Sequence, residues 1–81
     1  MTTPVAPYPH LLEPVTLAGV RATLAEHRVR LAHYEQLERR DHPHPETLTG
    51  AGLDQYLVLR GGIRLERFWV EWLTECLEAH A

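Results

Sequence analysis

The sequence predicts an all-α protein, an antiparallel hairpin of two long helices completed by dimerisation into a helical bundle. Three observations carry this. The prolines stand only at positions 4, 7, 9, 14, 43 and 45, leaving two long proline-free stretches; interior prolines would break a helix, so each stretch can form one of many turns. Within both stretches apolar residues recur at alternate spacings of three and four, the rhythm of helices packed lengthwise. The second stretch, moreover, is apolar on two sides, and a single hairpin mate can cover only one of them.

Eighty-one residues, 44% apolar and 23% charged, allow one small domain, since a chain this short buries only about 60% of its unfolded surface. A large enzyme is excluded. All eight basic residues are arginine, and eleven acidic residues bring the net charge to -3, which gives no general attraction to polyphosphate or anionic lipid. The single cysteine cannot form an internal disulfide, so the core must rest on helix packing or on a partner subunit. No apolar run reaches the roughly 20 residues of a membrane span, and the amino-terminal stretch carries prolines without a basic cluster. A cytoplasmic chain is expected.

Residues 1–12 are expected to form an extended arm, and residues 13–80 the two-helix domain. The first helix should run over about 14–40, opening at Pro14, whose missing N–H costs nothing at a first helical position. Its seam is Leu17, Val20, Leu24, His27, Leu31 and Tyr34, with Ala18, Ala25 and Ala32 alongside. Glu26 with Arg30 and Glu35 with Arg39 stand at the i,i+4 spacing of helix ion pairs. Asp41-His42-Pro43-His44-Pro45 ends the helix, because a residue preceding proline is pushed out of the helical region, and the connection spans about 41–48. The second helix is expected over about 49–79, with Thr47 and Thr49 as candidate caps.

In the second helix Tyr56, Leu59, Ile63, Val70, Leu73 and Leu77 form the seam that packs on the first helix, with Glu66 interrupting it. Leu65, Trp69, Trp72 and Cys76 form a second row, which with Phe68 is expected to bury against another copy of the chain. An antiparallel copy centred near Arg67 and Phe68 would set Arg64 opposite Glu71 and Arg60 opposite Glu75. Gly61-Gly62 in mid-helix costs about 2 kcal/mol relative to two alanines, a loss that close approach of another helix can offset.

The chemistry-bearing residues are few. His42 and His44 in a proline-spaced loop fall short of the four ligands of a closed metal site, so a solvated turn is expected and no metal or other cofactor. His27, standing where the seam calls for leucine, reads as a partly buried histidine bonded to a neighbour or exposed at the interface rim, or as a pH-sensitive packing site. Cys76 reads as a small core residue, or as a bridge between chains near a two-fold axis. Trp69, Trp72 and Phe68 could instead line a pocket for a planar ligand. There is no serine, no positioned Cys-His-acid set and no isolated acidic pair, so catalysis is not expected. Direct nucleic-acid binding lacks a helix-turn-helix, a finger spacing or a basic stripe.

Gly62-Ile63-x-x-Glu66-Arg67-x-x-x-Glu71-Trp72-Leu73 resembles the Gly-Ile...Glu-Arg...Trp-Leu pattern near the carboxyl terminus of PadR-like transcriptional regulators. Leu11-Leu12-Glu13-Pro14 is similar to the Leu-Asp-Pro that opens the first carboxy-terminal helix in that family, with Glu13 in place of Asp. Leu24, His27, Arg28 and Leu31 follow its Leu...Arg...Leu pattern. The resemblance spans about residues 10–78. It implies a helical homodimerisation domain using Leu65, Trp69, Trp72 and their neighbours. It does not carry DNA binding over, because the winged-helix domain holding the recognition residues is not in this chain. Two alternatives follow from it: a sensor of drugs or phenolic compounds with an aromatic pocket at the dimer axis, and an inhibitory heterodimer partner of a full-length regulator.

Overall fold

The computed structural model describes residues 16–81. The chain forms α1 (Leu17–Asp41), a single 3-10 turn at Pro45–Thr47, and α2 (Gly50–Ala79). The early part of α1 packs on the late part of α2, where Val20 and Leu24 cluster with Leu73. The late part of α1 reaches the early part of α2, where Tyr34 lies against Gly62 and Glu38 meets Arg60. The two helices are therefore antiparallel, and the molecule is an all-α hairpin.

Local chemistry sets the helix ends. Thr16 is extended, with φ −71° and ψ 145°, and its hydroxyl oxygen accepts the Gly19 N–H at 3.0 Å. It thereby satisfies one of the amide donors that every helix leaves free at its start. α1 thus opens at Leu17, three residues beyond the start expected at Pro14; Pro14 itself, like the expected arm over 1–12, lies outside the described residues. At the other end the His42 N–H returns to the Glu38 carbonyl at 2.9 Å, and Arg39 and Arg40 occupy the last turn, where cations suit the negative end of the helix dipole.

The loop keeps its own bonds. The Thr47 hydroxyl donates to the His44 carbonyl at 2.7 Å, so Thr47 closes the turn rather than capping α2. Thr49 takes the cap position without a side-chain bond. The next residue, Gly50, has φ +56°, a left-handed backbone that a residue with a β-carbon enters only at a cost. A glycine at this position sets the angle at which α2 leaves the loop.

The interior is thin. Val20, Leu24, Ile63 and Leu73 are the buried apolar residues among those described, and Ile63 is fully enclosed. Of the other seam residues, Leu31, Tyr34, Tyr56, Leu59, Val70 and Leu77 are half-buried, while Leu17 is exposed. Gly62 permits the closest approach: a β-carbon there would meet Tyr34 Cε2 at 3.3 Å and Cδ2 at 3.5 Å. The neighbouring Gly61 faces open space, so contact within this chain accounts for one glycine of the pair and not the other.

Candidate functional site: an aromatic face and the buried acid behind it

Leu57, Val58, Leu65, Phe68 and Trp72 stand on α2 on the side away from α1. Leu65 and Phe68 are 56% and 55% exposed, and Trp72 46%. At about 100° per residue these positions fall within roughly a third of the helix circumference, and the exposed Gly61 lies inside the same sector. Exposed leucine or valine alone is ordinary on a protein surface; here two large aromatics stand on the same stripe.

The residues of this row differ in their surroundings within the chain. Leu65, Phe68 and Trp72 face outward, but Trp69 and Cys76 are half-buried and pack against the Val20, Leu24 and Leu73 cluster of their own chain. The reason is rotation. Trp69 lies only about 40° around the helix from Leu73, so it straddles the border between the inner and outer faces. The rings then form a continuous set. Trp69 lies 5.5 Å from both Phe68 and Trp72 between ring centroids, and Phe68 and Trp72 are stacked at 6.4 Å and 12°. They pack on one another rather than framing a slot between them.

Behind this face sits the one buried charged side chain among the described residues, Glu66, which is 5% exposed. His27 of α1 bonds to Glu66 Oε2 through Nδ1, and Arg30 Nη1 donates to Oε1 at 3.0 Å. Burial alone would raise the Glu66 carboxyl, but the bonds and positive charge contributed by His27 and Arg30 outweigh it and hold the group below the ordinary carboxylate range. The imidazole lies 5.4 Å from Trp69 at an interplanar angle of 11°, a stacked pair. His27 and Glu66, the two residues that break their apolar seams, are therefore partners.

Two further ion pairs cross between the helices. Arg60 meets Glu38 at 3.0 Å and Arg67 meets Glu35 at 3.3 Å. Arg30 and Glu35 thus engage the opposite helix, in place of the expected pairs with Glu26 and Arg39. Arg60 is likewise paired with Glu38 of its own chain, while Arg64 and Glu71 both stay exposed. His42 stacks edge-on against Tyr56 at 5.5 Å, and its Nδ1 is buried without a partner. His44 points to Glu46 at 3.6 Å. Among the described residues no group of three or more metal-ligating side chains gathers, and no helix is long and apolar enough to cross a membrane.

The described chain is thus an all-α hairpin with an exposed aromatic face. The chain is a member of the family described as "Virulence activator alpha C-term", which it matches over residues 10–81. It is 48% identical over 60 residues to the probable transcriptional regulator Rv1176c of Mycobacterium tuberculosis (strain ATCC 25618 / H37Rv). That stretch is 74% of this chain and 32% of the relative, so the chain spans about a third of the curated protein it matches. No solved structure matches it.

Proposed function

We propose that this chain is a homodimerisation module of a PadR-type transcriptional regulator, a non-enzymatic part acting in the cytoplasm. One observation carries the reading: Phe68 and Trp72 stand half-exposed beside Leu65 on the side of α2 that α1 does not touch. Aromatic residues of this kind are enriched in interface cores, and a two-fold axis covers such a face with its own copy. The charges flanking it are self-complementary. An antiparallel copy centred near Arg67 and Phe68 sets Arg64 against Glu71 across the axis, which fixes register more than it adds affinity. Gly61, with no atom of its own chain near the place of a β-carbon, leaves room for the partner helix on the same stripe.

The dimer can form between two copies of this chain or between one copy and a full-length relative carrying the same domain. Sedimentation equilibrium over a wide concentration range tests the first, and co-purification with such a relative tests the second. Trp72→Ala should weaken self-association by about tenfold or more, the scale of a lost aromatic anchor, while leaving the helical signal of the hairpin unchanged. A wild-type chain that is folded and monomeric at every concentration refutes the reading.

A further inference from the structure

A carboxylate buried in a helical seam is expensive, and leucine at both 27 and 66 would satisfy the apolar rhythm without that cost. What the polar pair adds is direction. The ionised Glu66 carboxylate can only accept, so the bond it makes to His27 places a hydrogen on Nδ1 and fixes the plane of the ring. Arg30, donating to the second oxygen at 3.0 Å, keeps the carboxylate from turning. The ring so fixed lies against Trp69 at 5.4 Å and 11°, and Trp69 in turn abuts Phe68 and Trp72. A line of contacts thus runs from a buried acid to the exposed face.

We infer that Glu66 is the positioning residue of the aromatic face: by fixing the His27 ring it fixes Trp69, and through Trp69 the pose in which Phe68 and Trp72 meet a partner. The first two links stand on the geometry of a single chain. The last rests on the dimerisation reading above. Leucine in place of the pair would pack equally well against the α1–α2 seam but would leave the indole of Trp69 free to choose among rotamers.

Three variants separate positioning from mere packing: Glu66→Gln, Glu66→Asp and the double change His27→Leu with Glu66→Leu. Each is measured by far-ultraviolet circular dichroism for helix, near-ultraviolet dichroism for the indoles, and sedimentation for association. Glu66→Gln keeps an acceptor oxygen at the same reach and should retain the near-ultraviolet bands. The double-leucine variant should stay fully helical yet lose the larger part of those bands and associate about tenfold more weakly, as when one aromatic anchor is lost. Should that variant not fold, Glu66→Asp decides, since a carboxylate withdrawn by one methylene lets go of the His27 ring and should reduce the same bands. Wild-type bands in the folded double variant, or in Glu66→Asp where it alone folds, overturn the inference. A wild-type chain that never associates overturns the dimer instead, and the near-ultraviolet comparison on monomers still decides the role of Glu66.

Discussion

Two adjacent glycines in the middle of α2 should respond in opposite ways to the same substitution. Alanine is favoured over glycine in a helix interior by about 0.8–1 kcal/mol. At Gly61 the added methyl meets nothing within 4 Å, so Gly61→Ala should collect that gain in full and raise the midpoint of thermal unfolding by roughly 4–8 °C, the shift expected for a domain of this size. At Gly62 the methyl would stand 3.3 Å from Tyr34 Cε2 and 3.5 Å from Cδ2. Tyr34 is held between the helices, so it must shift by a few tenths of an ångström, and overpacking of this kind costs about 1–3 kcal/mol. Gly62→Ala should therefore be neutral at best and destabilising by up to about 2 kcal/mol once the helix gain is subtracted. Urea or thermal unfolding of both variants, at one concentration low enough that association adds nothing, makes the comparison. Equal stabilisation by the two changes refutes the reasoning, because the helices would then not meet at Gly62. The same proteins at high concentration report on the outer face: Gly61→Ala should weaken self-association, since its methyl enters the space left for the partner.

Two smaller predictions accompany it. Thr16→Ala removes the hydroxyl that accepts the Gly19 N–H and should cost about 1 kcal/mol by thermal unfolding, the usual loss for a helix cap. Glu66 is held below its unfolded value, so its contribution is fully present above the ordinary carboxylate range and drains away as the pH falls through the lower folded value. The thermal midpoint of the wild type should then fall more steeply in acid than that of Glu66→Gln; parallel curves for the two would exclude Glu66 as the source.

The hairpin was legible because proline positions and three-four spacing are direct consequences of helix geometry, and Val20, Leu24, Ile63 and Leu73 lie on the seams that spacing defines. The start of α1 was less so: Pro14 satisfied one rule for a helix start, while Thr16 satisfied a stronger one two residues on. Glu66 and His27 each appeared as a fault in a pattern, and only the tertiary register turns two faults into a bond. That register was within reach. Antiparallel helices of equal rise, counted back from Asp41 and Gly50, bring His27 level with Arg64 and so within one turn of Glu66. The ion pairs of Arg30 and Glu35 differ from the i,i+4 expectation for a related reason, since spacing along one helix cannot weigh a carboxylate or guanidinium on the next helix against one a turn away. Trp69 stands at the border of the two faces because its row drifts around the helix, which carries it to the edge of the core.

The antiparallel arrangement also gives the molecule two unlike poles. Thr16 and Ala79 share one, and Pro43 to Thr47 form the other, separated by about 38 Å along the 25 residues of α1. A dye carried on Glu46 and a second near His80 would therefore report on lengthwise geometry without touching the aromatic stripe. In a head-to-tail pair the dyes of opposite molecules draw near each other, and in a side-by-side parallel pair they stay apart, so energy transfer between differently labelled copies reads orientation directly.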